Sequence, residues 1–309
     1  MAASKPRRAA ATFTEQARAL AWGAWTELGV SGWTSTHADW GIDPEPLILF
    51  TGWLGDRDPR LRDEATDWCI RNWRYISRVR LKNLLRFQPD DVQEAFGEFA
   101  ATVATHAGVT WPGATTPRRF MVTGRSTLPP LTRQPLAWLR LRAMFGVGAR
   151  SEILRHFLSR GSAPSSIAGL ASTTGYTKRN ITDECETLER AGVLAVRTIG
   201  NRFSYSLVRR AELEAFVGAL PAIRPNWTAI LNVTRELVRL EERVESSTLK
   251  TVPVHTRTTL RAIEDDLDEL GIVTTFEDII GADLWPAVHQ VGMNHLGAWS
   301  IGRWPDAAR

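Results

Sequence analysis

Lys178 and Arg179 open a segment, KRNITDECETLER, whose side chains suit recognition chemistry rather than bond making. With Thr177 as N-cap, both cations fall in the first turn of a predicted helix. There they oppose the macrodipole, at a cost of about 0.3–1 kcal/mol each when exposed, which a bound anion would offset. Ile181, Cys185 and Leu188, spaced i, i+4, i+7, predict the buried stripe of that helix. The opposite face then holds Arg179, Asp183, Glu186 and Arg190, flanked by Lys178, Asn180 and Thr182. Further on, Arg197 and Arg202 share one face of a predicted two-stranded ribbon with Ile199 and Ser204.

No catalytic pattern assembles in the sequence. No glycine-rich phosphate loop ending in Lys-Ser/Thr occurs, and Gly146-Val147-Gly148 lacks the third glycine and preceding strand of a dinucleotide fingerprint. His289 and His295 are six apart, off a common helical face, so zinc ligation has no support. Glu264, Asp265, Asp266, Asp268 and Glu269 read as a solvated acidic face, and Cys69 as a small buried apolar residue. The expectation is a protein that is not an enzyme and uses no cofactor or metal; the remaining enzymatic option is a cryptic site in the N-terminal helical region.

The elements that must position these cations are legible. A helix from about Arg150 to Arg160 carries Ile153, Leu154, Phe157 and Leu158 on one stripe and stops at Gly161. Ser165 is the expected cap of a second helix bearing Ile167, Leu170 and Ala171; Gly175 makes the turn, and Thr177 caps the third helix. The sequence LAVRTI, GN, RFSYSL predicts a hairpin with a two-residue Gly200-Asn201 type II′ turn. Its register opposes Leu194 to Leu207, Val196 to Tyr205 and Thr198 to Phe203, an apolar face expected to pack inward. Three helices followed by a hairpin predict a winged helix-turn-helix.

On IAGLA, the Gly175 turn, TKRNIT, and LERAGVL leading into the hairpin, residues 134–210 resemble winged-helix bacterial transcription factors such as the ArsR and MarR groups. The resemblance covers about a quarter of the chain. It implies base-edge contacts from Lys178, Arg179, Asn180, Thr182 and Asp183, and backbone or minor-groove contacts from the wing at Arg197, Asn201 and Arg202. Two features depart from it. The second turn of the third helix is acidic (Asp183, Glu184, Glu186, Glu189), and Cys185 on the core stripe leaves only Cys69 as a thiol, too few for an ArsR-type metal sensor.

Charge is distributed in agreement with this reading. The net charge is only +4, but residues 134–210 carry 12 basic and 5 acidic side chains, net +7. Residues 211–309 carry 9 basic and 15 acidic groups, net −6. Hydrophobic content of 43% and 13 tryptophans predict packed cores rather than disorder. Two cysteines exclude a disulfide framework, and no apolar run approaches the roughly 18 residues that span a bilayer.

Upstream, helices are expected at about 13–28, 44–54, 59–73, 78–87 and 90–106, with Pro44 and Pro59 in first turns. Arg71, Arg74, Arg78, Lys82 and Arg86 recur at helical spacing, as a solvated arginine face over a core of Trp68, Ile76, Leu81, Leu84 and Leu85, which is the favoured reading, or as a second basic patch in which Ser77 caps a short helix of a second helix-turn-helix. The run DPEPLILFTGWLGDRDPRLRDEATDWC faintly resembles bacterial antitoxin-type partners of nucleotidyltransferase toxins. Residues 109–133, rich in Pro, Gly, Thr and Arg, read as a linker. Downstream, Ile230, Val233, Leu237, Leu240 and Val244 form a 3-4 seam that either dimerises or packs on residues 256–270. Pro135 to Phe145 is a second candidate dimer surface.

The expected organisation is mainly α: a basic tail (1–12), an N-terminal helical domain (13–108), a linker (109–133), the winged helix (134–210) and a C-terminal helical domain (211–309). The expected function is a cytoplasmic, nucleoid-associated, sequence-specific regulator of repressor type. Its expected partners are double-stranded DNA and a second copy of the chain. The alternative is an antitoxin-like or defence-system protein acting on a partner protein, with the winged helix serving autoregulation or docking.

Overall fold

The computed structural model describes residues 11–32, 35–161, 163–199, 202–272 and 276–305. It is mainly helical, with one small antiparallel sheet. In chain order the elements are α1 (Phe13–Glu27), α2 (Pro44–Leu54), α3 (Pro59–Asn72), α4 (Arg78–Leu85), α5 (Asp90–Ala107), α6 (Ala137–Phe145), α7 (Ala149–Arg160), β1 (Ser165–Ser166), α8 (Ile167–Thr174) and α9 (Lys178–Arg190). There follow β2 (Leu194–Ile199), β3 (Arg202–Leu207), α10 (Arg210–Val217), α11 (Trp227–Glu245), α12 (Val252–Ala262), α13 (Glu264–Glu269) and α14 (Leu284–Ser300). The chain divides into two compact units: Gly23–Thr228, and the residues up to Trp22 together with those from Ala229 onward.

In the unit Gly23–Thr228, α2 is buried along its whole length, and apart from Glu45 and Thr51 its side chains are apolar, as a helix at the middle of a core must largely be. Residues 109–133 form no helix or strand, yet they are tied down. Trp111 is buried, and the backbone N–H groups of Thr123 and Gly124 both donate to the Asp67 carboxylate, at 2.8 and 2.9 Å. A composition that prevents regular structure does not prevent packing, because side chains of neighbouring helices supply the hydrogen bonds that a ladder would otherwise give.

From Ala149 to Leu207 one core gathers Ile153, Leu154, Phe157, Leu170, Tyr176, Ile181, Cys185, Leu188, Leu194 and Tyr205. The expected stripes of α7 and α9 are its walls. The second helix begins one residue later than expected: Ser166, not Ser165, is the cap, its hydroxyl accepting from the Gly169 N–H at 3.1 Å. Ser165 and Ser166 instead form β1, paired with Tyr205 and Ser204 of β3, so the hairpin becomes a three-stranded sheet of order β1-β3-β2. Gly175, at φ 72°, ends α8 in the left-handed region and reverses the chain into α9.

The expected hairpin register is present: Leu194 opposes Leu207, Val196 opposes Tyr205, and Thr198 opposes Phe203. Burial of its apolar face is confined to the base. Leu194 and Tyr205 are buried, but Val196 is 38% and Phe203 57% exposed, because the ribbon projects past the helices that would cover it. The Gly200-Asn201 turn lies outside the described residues, as do the side chains of Ile199 and Arg202.

Both candidate dimer surfaces are largely covered within the chain. Residues Ala137–Arg142 of α6 are buried; Trp138 and Leu141 pack with Leu158 and with Val217 of α10. In the other unit Ile230, Val233, Leu237 and Leu240 are buried. There Val233 and Leu237 line a small cavity with Leu260, Ile263, Leu267, Val288 and Leu296. The expected 256–270 helix divides into α12 and α13, and at the start of α1 the Phe13 N–H donates to Glu241 of α11 at 3.0 Å. Among the described residues no helix is long and apolar enough to cross a membrane.

Candidate nucleic-acid interface

The polar face of α9 stands outward because its opposite stripe is spent on the core. Lys178, Arg179, Asn180, Asp183, Glu186 and Arg190 are exposed, and Thr182 is half-buried. Two of the expected contact residues are locally engaged. The Thr177 hydroxyl donates to Asn180 Oδ1 at 2.6 Å and accepts from the Asn180 N–H at 3.3 Å, and Thr182 Oγ1 donates to the Lys178 carbonyl at 2.9 Å. Lys178, Arg179, Asp183 and Arg197 make no ion pair among the described residues, so the first turn of α9 presents two uncompensated cations at the positive end of its dipole.

The acidic second turn is partly neutralised. Glu184 is paired with Arg150 of α7 at 3.0 Å, and Glu186 with Arg190 at 3.6 Å. Asp183 and Glu189 remain the unpaired acids of the helix among the described residues. Arg197 is exposed on β2. The expected contacts from Asn201 and from the Arg202 side chain fall outside the described residues.

Part of the positive excess of residues 134–210 is internal, committed to backbone carbonyls and buried carboxylates rather than exposed to solvent. Arg140 donates to the carbonyls of Leu131 and Thr132, at 3.1 and 2.9 Å, and Arg210 to those of Phe157 and Gly161, at 2.8 and 2.9 Å. Arg142 and Arg155 belong to a buried ionic network. Arg142 binds Glu45 at 2.7 and 2.8 Å and Glu152 at 2.7 Å; Arg155 binds Asp43 at 2.7 Å and Glu152 at 3.0 Å. Arg80 completes it, donating to Asp43 through Nη1 and Nη2 and to Glu45 through Nη1 at 2.6 Å. Burial alone would raise the Asp43 carboxyl, but Arg155 and Arg80 outweigh it and hold the group far below the ordinary carboxylate range. Glu152 is held down against the same burial penalty by Arg142 and Arg155.

This network fixes the turn that aims α9. Arg80 Nε donates to the Thr174 carbonyl at 2.9 Å, and Asn83 Nδ2 donates to the Gly175 carbonyl at 2.8 Å. The hydroxyls of Ser77 and Tyr176 lie 2.6 Å apart. The signal in the sequence was a charge inside an apolar run, Glu45 in PEPLILF and Arg142 in WLRLRAMF. Such a charge must find a buried partner, though a single sequence does not say which.

The second basic patch divides. Arg71 donates to the Gly124 carbonyl at 2.5 Å, Arg78 to that of Thr110 at 3.2 Å, and Arg74 stacks on Trp73 with its guanidinium carbon 5.0 Å from the ring centre. Arg78 and Lys82 lie exposed on α4 and Arg86 at its C-cap, and Ser77 caps the start of that helix as expected. Cys69 and Cys185 are buried, and burial raises both thiols, that of Cys185 to about 12, so neither is a thiolate near neutrality. His289 lies 3.8 Å from Glu241, and His295 contacts the Val291 carbonyl. Among the described residues no three metal-ligating side chains converge.

No family model, curated protein or solved structure matches the chain.

Proposed function

We propose that the region from α7 to β3 is a winged helix-turn-helix that binds double-stranded DNA, with α9 as reading helix and β2–β3 as wing, and that the protein regulates transcription as a repressor. The observation that carries this is the first turn of α9, where Lys178 and Arg179 project without counter-charge beside the Gly175 turn. An element order of helix, short strand, helix, helix, hairpin supports it, since that is the order of a winged helix-turn-helix, with Arg197 exposed on the first strand of the hairpin. The internal pairing of Glu184 and Glu186 also supports it, by lowering the repulsion a phosphate would meet.

Selection of bound sequences from a random duplex pool tests the reading. Enrichment of a defined motif by the wild-type chain, lost in Arg179→Ala, is the expected result; recovery of an unenriched pool by both proteins overturns it.

A second reading is favoured by the exposure of Val196 and Phe203 on the wing. An apolar strip on a projecting ribbon suits docking to a partner protein, as in an antitoxin-like or defence-system role. Phe203→Ser separates the two, since it should spare duplex binding and abolish a protein contact.

A further inference from the structure

We propose that the exposed face of α4 extends the duplex-binding surface and grips the phosphate backbone beside the segment contacted by α9; this rests on the reading of α9 as the DNA-contacting helix. Residues 71–86 contain six basic side chains and no acid. Arg80 is withdrawn into the buried network, but Arg78, Lys82 and Arg86 remain exposed, with no carboxylate partner among the described residues. Phe87, 83% exposed, follows Arg86, whose guanidinium carbon lies 5.9 Å from the ring centre.

The position of this face follows from contacts on the adjacent side of the same helix. Arg80 and Asn83 hold the carbonyls of Thr174 and Gly175, and a Cβ at Gly175 would meet Arg80 Cγ at 3.1 Å and Leu84 Cδ2 at 3.7 Å. α4 therefore lies directly on the α8–α9 turn. Lys82 precedes Asn83, and Arg86 follows it by three residues, on the neighbouring face. Lys178 stands three residues beyond Gly175, a reach of at most about 11 Å of extended chain. A duplex presents a phosphate about every 3.4 Å of axis along each strand, so one backbone can run from the α9 cations to those of α4. Lys82 and Arg86 are point contacts for phosphate, without the orientation that reads a base.

The test is an anisotropy titration of the full chain against a labelled mixed-sequence 30-base-pair duplex over a range of salt concentrations. It compares wild type with Lys82→Gln/Arg86→Gln, Lys178→Gln/Arg179→Gln and the charge-retaining Lys82→Arg/Arg86→Lys. Lys82 and Arg86 are both exposed, so the thermal midpoint should not move. The expected result is a plot of log affinity against log salt that is shallower by about 1.8 in Lys82→Gln/Arg86→Gln and unchanged in the charge-retaining variant. If the α9 variant loses slope while the α4 variant keeps it, the extension is overturned and the reading of α9 stands. If the α4 variant alone loses slope, or wild type shows no salt-dependent binding, the reading of α9 fails and the extension falls with it.

Discussion

Arg142 and Glu45 meet through two hydrogen bonds of 2.7 and 2.8 Å with both side chains 0% exposed, although 97 residues separate them in the chain. The pair joins α6 to α2. Through Glu152 on one side and Arg80 on the other, the same network reaches α7 and the end of α8. A charge so placed stabilises only while every partner is present, because each would otherwise be a desolvated ion.

Arg142→Met should therefore destabilise the protein by about 3–5 kcal/mol, far more than the lost packing of one side chain on a surface. Urea unfolding followed by tryptophan fluorescence measures this. A loss below about 1 kcal/mol would show that water reaches Glu45 and that the network does not set the position of the α8–α9 turn.

His156 supplies a pH dependence. Its ring nitrogens lie 2.8 Å from Ser165 Oγ and 2.9 Å from Thr173 Oγ1, hydroxyls that suit a neutral imidazole. Burial, with Arg160 and Arg155 nearby, lowers its pKa from 6.5 to about 4. Because the folded pKa is depressed, the unfolded chain binds the proton more readily, so the contribution of His156 is complete above about pH 6.5 and is lost between there and about pH 4. The loss should reach up to about 3 kcal/mol, less where water screens the ring. Asp43 and Glu152, also held low, add their own loss at more acid pH. His156→Gln should flatten the stability profile between pH 4 and 6.5; an unchanged slope there would place the titration elsewhere.

The helices from α1 to α5, and α7 and α9, were legible to within two residues because local signals agreed: Pro44 and Pro59 in first turns, caps at Ser77 and Thr177, and the Ile181, Cys185, Leu188 stripe; α10 was not expected, and the expected 256–270 helix is divided between α12 and α13. The hairpin register was legible because period-two alternation permits only one pairing with a two-residue loop. What could not be read was long-range pairing. β1 is two serines without a strand pattern, and it exists only because Tyr205 and Ser204 of β3 lie beside it. Arg80 lies in the same basic run but off the spacing of Arg78, Lys82 and Arg86, and its charge is buried; a single sequence shows that a guanidinium is present and not which carboxylate it meets.

Within the proposed interface Asp183 should act as a gate on nonspecific binding. It is exposed on the same side as Arg179, and unlike Glu184 and Glu186 it has no cation to satisfy it among the described residues. Asp183→Asn removes one repulsion of phosphate and should raise affinity for random duplex more than for a selected site, narrowing the ratio between them. Competition titrations at fixed salt measure the ratio. Glu186→Gln should change it less, because Arg190 already offsets that charge. Equal behaviour of the two variants would mean that this turn lies away from the DNA.

Leu237→Glu distinguishes internal packing from assembly at the α11 seam. Ile230, Val233, Leu237 and Leu240 are buried by the chain itself, and a Cβ at Gly292 of α14 would stand 3.1 Å from Leu237 Cδ1. A carboxylate at this position has no partner and a desolvation cost of several kcal/mol, so it must be expelled or the surrounding helices must separate. Circular dichroism should show reduced helicity and a lowered first transition, with light scattering at micromolar concentration tracking unfolding rather than a change from dimer to folded monomer. A folded, fully helical monomer from a dimeric wild type would instead mean that the seam is shared between two chains and that α14 covers it only in part.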